Sequence, residues 1–368
     1  MFKDVILTTY YCETPLHMGS GQSISYVDLP IQREKHTDFP VIWSSSIKGV
    51  ARDRALRSGW SKTKLLYIFG SEADESPDNL VSSCISFTDA KILFYPVRSA
   101  KGIFAWITCP FVIKRFIQEI EGAGILCNNH DVLNAIINWI TYIETPISQN
   151  KVVLLDSSAY IKNTSEKVML EEFEFSSEVK SDTVIINFYK DILPTNILTE
   201  ELEKRLAIVP DDIFSVFVKY AVEIRTRIRI DQTTGVVEDK ALFTEELLPS
   251  ESIFYGFVFT TDPFFGIDND LYNILTSSFI DWEKLGNSVS SEKLNILKEA
   301  AGEKSENGAN KTENRYLSSK DVINQLEKLL DNGLLQLGAD STLGRGFVKV
   351  KTTSILFSNS KDKQEAES

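Results

Sequence analysis

Residues 220–250 leave the backbone few options. In AVEIRTRIRID the isoleucines Ile224, Ile228 and Ile230 fall on even positions, and Arg225, Arg227 and Arg229 on odd ones. Successive side chains of a strand point to opposite faces, so this run reads as a strand with one apolar and one basic side. It continues through QTTGVVEDKALFTEE, where Gly235 marks a hairpin tip. The expectation is a two-stranded ribbon.

The rest of the chain alternates strand and helix signals. VILTTYYCET reads as a first strand and stops at Pro15 and the flexible Gly-Ser-Gly of residues 19–21. After Ser44–Ser46 the run IKGVARDRAL changes to a helical pattern with a serine cap, over about 46–58. CISFTDAKILFYPV and GIFAWITCP read as strands, and FVIKRFIQEIE as a helix beginning just after Pro110. Between about 128 and 200 the pattern weakens to a short helix, VLNAIINWI, the run VVLLD and a polar, acidic stretch. SIFYGFVFT is a strong strand signal. LSSKDVINQLEKLLDNG is an amphipathic helix capped by Ser and Gly, followed by strand, Gly-rich loop and strand in LLQLGADSTLGRGFVKV. This order suits an α+β fold with a ferredoxin-like core of the split βαβ kind. The expected organisation is a single domain over 1–368. The ribbon at about 220–250, helical or irregular segments, and a flexible Ser/Lys/Glu/Asn/Gly-rich stretch at about 286–312 are its insertions.

Of the 368 residues, 43% are hydrophobic and 11% aromatic, enough for a core that needs no disulfide or structural metal. Cys12, Cys84, Cys109 and Cys127 form no CxxC pair and no zinc pattern, so buried free thiols are expected. No apolar run reaches the roughly eighteen residues of a membrane span. The N-terminus reads as a strand, not as a signal peptide. A cytoplasmic protein with no membrane partner is the expectation. The net charge of −13 argues against indiscriminate nucleic-acid binding, but it is unevenly spread. Residues 1–115 carry 14 Lys+Arg against 11 Asp+Glu, and residues 116–368 carry 25 against 41. Binding to a polyanion depends on local charge, so a basic groove in the first part is compatible with the acidic total.

The stretch Thr14 to Arg52 gathers a histidine, a Gly-Ser-Gly loop, an aspartate and basic residues, a set suited to a phosphodiester backbone. Asp28 sits in a loop, where a carboxylate can accept a proton or hold a divalent cation; before Leu-Pro it can equally stabilise a turn. His17 is a candidate acid/base group, though positioning substrate or shaping the loop suits it better. Lys48 and Arg52 are four apart and share a helix face, with Arg54 and Arg57 nearby; that face near a helix start is a phosphate seat or a solvated surface. Arg98 and Arg345 stand beside Pro and Gly turns. Gly19, Gly21, Gly344 and Gly346 would let a phosphate backbone approach, or simply make tight turns. Arg225, Arg227 and Arg229 could meet RNA or acidic neighbours. Glu245 and Glu246 end the ribbon as a carboxylate pair. GSG and LGRG are not dinucleotide loops, so a small-molecule enzyme has no support.

Taken in order, the blocks PLHMGSGQ, VDLPIQRE, FPVI-SSSIKGVAR, FTDAKILFYPVRSAKGIFAWITCP, RIRIDQTTGVVEDKALFTEE and STLGRGFV resemble the RAMP superfamily, in particular the backbone subunits of type III-B CRISPR (Cmr) effector complexes. Residues near 150–200 and 286–312 add nothing to the resemblance. It implies an RRM-like, ferredoxin-like core whose ribbon is a thumb. It implies subunits stacked head to tail along a guide RNA, each cutting the paired target RNA at a regular interval. A divalent metal, such as magnesium, and 2′,3′-cyclic phosphate-type products go with that activity. The other implied partners are a small helical subunit and a large polymerase-like subunit. Asp28 takes the place of the catalytic aspartate. Glu245 or Glu246 takes the place of an assisting thumb acid, although Leu247 and Leu248 stand where the family has an aromatic. Two alternatives stay open: a non-catalytic scaffold that coats guide RNA, and a stand-alone endonuclease that processes guide precursors.

Overall fold

A computed structural model of the chain describes residues 2–23, 27–71, 81–124, 130–155, 158, 161, 166–180, 188–189, 191–231, 233–263 and 318–354. The stretch at 286–312 and Cys127 lie outside the described residues. The fold is mixed α+β, as expected, and divides into two compact units. One contains residues 1–5, 48–87 and 258–329; the other contains 6–47, 88–257 and 330–368.

The larger unit is built on a sheet. Strand β1 (Asp4–Cys12) pairs antiparallel with β14 (Phe347–Thr353) from Leu7↔Thr353 to Cys12↔Val348. The sheet order is β13 (Leu334–Gln336), β14, β1, β12 (Ile253–Thr260), β4 (Ala90–Ser99), β5 (Ile103–Thr108), β9 (Leu206–Ile208), β6 (Val152–Leu155), β8 (Phe173–Lys180) and β7 (Lys167–Leu170), with β2 (Val41–Ile42) on β4. Its central strands are apolar on both faces: Ile92, Phe94, Tyr95, Trp106, Phe254 and Tyr255 are fully buried. Helix α3 (Pro110–Ala123) covers one face. Pro110 opens it, left-handed Gly124 closes it, and Val112, Ile113, Phe116, Ile117 and Ile120 recur at helical spacing on its buried side. Phe116 packs edge-on against Tyr255 at 4.4 Å between ring centroids. Helices α4 (His130–Ser148), α5 (Asn196–Arg205) and α6 (Asp211–Tyr220) belong to the same unit.

Two sequence readings change here. The helix read from VLNAIINWI extends over all of α4. The polar, acidic stretch after VVLLD contains a strand, β8, which pairs antiparallel with β7 and parallel with β6. The exposed, charged character of that run is compatible with a strand because none of the residues of β8 is fully buried.

The ribbon forms as expected. Strand β10 (Glu223–Ile230) pairs antiparallel with β11 (Val237–Leu247), from Glu223↔Leu247 to Ile230↔Val237. Gly235 lies at the turn with φ +67°. The apolar stripe is exposed, including Ile224, Ile228 and Leu242.

The smaller unit holds most of α1 (Ser44–Arg57), with α2 (Lys62–Phe69), β3 (Ile85–Phe87) and α7 (Ser319–Leu330). Strand β3 pairs with the end of β12 through Val258↔Phe87. Ser318 and Asp321 cap α7 reciprocally: Ser318 Oγ donates to the Asp321 carboxylate at 2.7 Å, and Asp321 N–H donates back to Oγ at 3.3 Å. Cys12, Cys84 and Cys109 are buried free thiols. No described helix is long and apolar enough to cross a membrane.

Candidate active site

Three segments of the larger unit are knitted together around the end of β11. The first is the loop after β1, residues 13–33. Leu16 and Leu248 exchange backbone hydrogen bonds at 3.0 and 2.9 Å. Further along, Leu29 N–H donates to the Thr244 carbonyl and Glu246 N–H to the Leu29 carbonyl, both at 3.0 Å. Segment 28–29 thus lies beside β11 as a short parallel strand, on the edge opposite β10.

That pairing places Asp28 on Thr244. The Thr244 backbone N–H and hydroxyl both donate to Asp28 Oδ2, at 2.8 and 2.9 Å. Asp28 N–H donates to Thr244 Oγ1 at 3.1 Å. Asp28 is exposed to solvent. The backbone N–H of Thr244 first, and its hydroxyl second, hold the Asp28 carboxyl below its ordinary pKa, because they stabilise the charged form.

His17 is buried, and its Nδ1 lies 2.7 Å from the Glu246 carbonyl oxygen. A carbonyl only accepts, so Nδ1 carries the proton and Nε2 is the one ring nitrogen left to accept. Gly19 packs against that nitrogen: a Cβ there would lie 2.9 Å from Nε2. Glu246 turns its carboxylate to the same loop. Oε2 accepts from Ile31 N–H at 2.9 Å, and Oε1 pairs with Arg33 at 2.6 Å.

Glu245 points the other way, into a second cluster. It is fully buried and ion-pairs with Arg345 and, at 3.2 Å, with Arg227. Asp340 closes the set, 2.7 Å from Arg227 and 2.9 Å from Arg345. Two cations and two anions thus tie the base of the ribbon to the Gly-rich segment 338–346. That segment is fastened to the first loop by Gly346 N–H to the Pro15 carbonyl and Ala339 N–H to the His17 carbonyl, both at 3.0 Å. Gly338 and Gly346 have φ of +76° and +72°, and a Cβ on either would overlap a backbone carbonyl oxygen, of His17 and Leu337 respectively.

The sequence-derived residues therefore separate. Asp28, His17, Glu245 and Glu246 come together at the end of β11. Arg345, read as a lone basic group, is buried among carboxylates, and the close approach at Gly346 is to the protein's own backbone. Arg227 shares that cluster and lies over the Phe243 ring at 5.4 Å. Arg225 pairs with Glu223, and Arg229 is exposed. Gly21 and Gly344 have φ of +105° and +74° with open space where a side chain would sit. Arg98 is exposed and bonded to Glu171 at 2.7 Å. Lys48 and Arg52 belong to the smaller unit. Lys48 is half-buried; burial first, and Arg52 second, hold its ammonium below the ordinary range. Arg52 donates to the Gly70 carbonyl at 2.6 Å, Arg54 to that of Leu329 at 2.7 Å, and Arg57 pairs with Asp53. Sequence reasoning did not single out Thr244, Arg33 or Asp340, although all three lie in or beside the motif blocks.

Among the described residues, no group of three or more His, Cys, Asp or Glu is placed to hold a metal ion. The site does fit a magnesium-type ion in another way. Such an ion keeps several waters and needs one or two carboxylates plus substrate phosphates, and both Thr244 hydrogen bonds go to Oδ2 of Asp28, not Oδ1.

The model of the RAMP superfamily matches residues 9–349. The chain is 32% identical over 351 residues to the CRISPR system Cmr endoribonuclease Cmr4 of Pyrococcus furiosus, covering 94% of each. It is 27% identical over 274 residues to the CRISPR system CMR subunit Cmr4 of Saccharolobus solfataricus, covering 68% of this chain and 86% of that one. The crystal structure of oligomeric Cmr4 from Pyrococcus furiosus superposes with a TM-score of 0.57 at 25% identity, covering 96% of this chain and 99% of that one. A subunit in the cryo-EM structure of the type III-B Cmr-beta complex bound to cognate target RNA has a TM-score of 0.60 at 18% identity, over 96% of this chain and 98% of that one, a likeness of fold.

Proposed function

Because the chain belongs to the RAMP superfamily, we propose that it is the target-RNA endonuclease subunit of a type III-B CRISPR effector. In this reading it stacks head to tail with further copies along a guide RNA in the cytoplasm. It works beside a small helical subunit and a large polymerase-like subunit. Base pairing between guide and target supplies the sequence specificity, and the protein reads backbone and shape. The core is ferredoxin-like within a single RAMP domain, and the β10–β11 ribbon is its thumb. The observation that carries the reading is an exposed carboxylate, Asp28, held by two hydrogen bonds from the ribbon.

The reaction is transfer of a phosphodiester within the target RNA. The 2′-oxygen attacks the adjacent phosphorus, the bond to the 5′-oxygen breaks, the 2′-proton goes to a base and the leaving oxygen gains one. The products end in a 2′,3′-cyclic phosphate and a 5′-hydroxyl, and DNA, without the attacking group, is not cut. A carboxylate with a depressed pKa is a weak proton acceptor, so we assign Asp28 the orientation of the 2′-hydroxyl for in-line attack and the holding of a divalent cation. A bound magnesium ion would neutralise charge on the phosphate oxygens. His17 and Glu246 shape the loop that presents Asp28, and Glu245 anchors the ribbon. Arg98, Arg225 and Arg229 are assigned to RNA on the larger unit, and Lys48 and Arg52 on the smaller. Each would exchange or share its present partner for phosphate.

The test is cleavage of labelled target RNA by the guide-loaded complex, wild type against Asp28→Ala, with and without magnesium. Regularly spaced products that vanish in the variant while the complex still assembles are expected. Unchanged cutting would remove Asp28 from the reaction. No cutting by the wild type would leave a scaffold that coats guide RNA, and cutting of precursor hairpins by the free protein would make it a processing enzyme.

A further inference from the structure

The geometry points to Thr244 as a positioning residue for cleavage: its hydroxyl fixes the Asp28 carboxylate and so makes the ribbon part of the active site. The inference rests on the assignment of Asp28 above.

The loop that carries Asp28 is tied to itself through its backbone, by Ser20 N–H to the Pro30 carbonyl at 3.0 Å and Gln32 N–H to the Met18 carbonyl at 2.8 Å, and neither bond touches the aspartate side chain. It holds Gly19 and Gly21, and Gly21 sits at φ +105° in open space. The backbone bond within the loop nearest the aspartate runs from Ser23 N–H to the Asp28 carbonyl at 2.9 Å, and leaves the side chain free to turn. Rotation of the carboxylate is instead restrained from across the chain, 216 positions away, by Thr244. The contact is reciprocal. Thr244 Oγ1 donates to Oδ2 at 2.9 Å while accepting from Asp28 N–H at 3.1 Å, so the hydroxyl proton has one assigned direction. Donors to an ionised carboxylate make the stronger class of hydrogen bond, and these two converge on a single oxygen, which fixes the plane of the group.

Thr244 is also a member of the ribbon. It pairs directly with Thr226 on β10, one position from the fully buried Glu245. A displacement of the ribbon that moved Thr244 would carry the hydroxyl away from Asp28. Seating of the ribbon on bound RNA and orientation of the carboxylate are then a single event. Cutting would be restricted to subunits whose ribbon is in place.

The experiment uses the guide-loaded complex and single-turnover cleavage at saturating target, with Asp28→Asn, Thr244→Val and Thr244→Ser. Valine keeps the shape and strand preference of threonine and removes the hydroxyl; serine restores it. Expected are no cutting by Asp28→Asn, a rate lowered roughly ten- to hundredfold by Thr244→Val, as for a misplaced catalytic group, and a near wild-type rate for Thr244→Ser. Assembly and half-saturating target concentration should be the same throughout. Full activity of Thr244→Val beside an inactive Asp28→Asn overturns the inference and leaves the role of Asp28 intact. Equal losses in the valine and serine variants also overturn it, because bulk and not the hydroxyl would then matter. Cutting by Asp28→Asn would remove the assignment of Asp28 itself, and this inference with it.

Discussion

The four-residue charge cluster under the ribbon makes a quantitative prediction about Glu245. Its side chain is 1% exposed, that of Arg345 9%, and that of Arg227 32%. Glu245→Gln removes one of two anions and leaves Arg345 buried with Asp340 alone at 2.9 Å. Breaking a buried ion pair by deleting one partner costs about 3–5 kcal/mol. Because Asp340 persists as a counter-charge, the lower end applies, about 3 kcal/mol. Arg227→Met should cost far less, about 1 kcal/mol, because its guanidinium is a third exposed and screened by solvent. The decisive variant is Glu245→Met with Arg345→Met. Removing both charges abolishes the desolvation penalty as well as the attraction, so the double variant should be more stable than Glu245→Gln, by about 1–3 kcal/mol. Urea unfolding followed by tryptophan fluorescence gives the comparison, and target cleavage per folded molecule separates a structural from a chemical role for this carboxylate. A cost for Glu245→Gln no larger than that for Arg227→Met, or a double variant no better than the single one, would refute the view that burial and mutual neutralisation hold the ribbon's base.

Gly346→Ala should destabilise by about 3 kcal/mol, the sum of a left-handed backbone and an overlap with the Leu337 carbonyl. Gly344→Ala, with the same sign of φ and open space, should cost only about 1 kcal/mol in the same unfolding assay. The depressed pKa of Asp28 places its acid limb below the ordinary value of 3.8. The stability it contributes is present above that unfolded-state value and is lost only as pH falls through the lower folded one. Single-turnover cleavage should therefore show no inflection from Asp28 between about pH 8 and pH 5. An aspartate-dependent fall near pH 6 that Asp28→Glu displaced would contradict it.

The ribbon was legible because its alternation is local: each Ile and Arg is read against its neighbours, and Gly235 supplies the turn. Helix α3 was legible for the same reason, with Pro110 and Gly124 at its ends. Strand β8 was not, since in FEFSSEVK only Phe173, Phe175 and Val179 are apolar, the run has no buried face, and its place as a strand comes from pairing with β6 and β7. The carboxylates of the candidate site were singled out by residue type and motif order, but their partners were not. Thr244 lies 216 positions from Asp28, Arg33 lies 213 from Glu246, and Asp340 lies 113 from Arg227. Sequence spacing carries no information about such contacts. Arg345 was read only as a basic residue beside glycine turns; its burial among carboxylates was not legible, although Gly346 next to it marks a close approach of the backbone.

The run Thr244-Glu245-Glu246 explains how one strand end does two jobs. Side chains alternate along a strand, so Thr244 and Glu246 share a face and Glu245 takes the other. The first face meets the loop: Thr244 holds Asp28, and Glu246 holds Ile31 N–H and Arg33. The second meets the Gly-rich segment through Arg345. A ribbon with an exposed apolar stripe cannot be stabilised along its length by a core, so its base must be fixed from both sides. Thr244, one of the residues that fix it on one side, also orients the Asp28 carboxylate. A one-residue slip of β11 would exchange the faces, directing Glu245 at Asp28 and leaving Arg345 without its anion. The register of this strand is therefore a requirement of the proposed chemistry as much as of the fold.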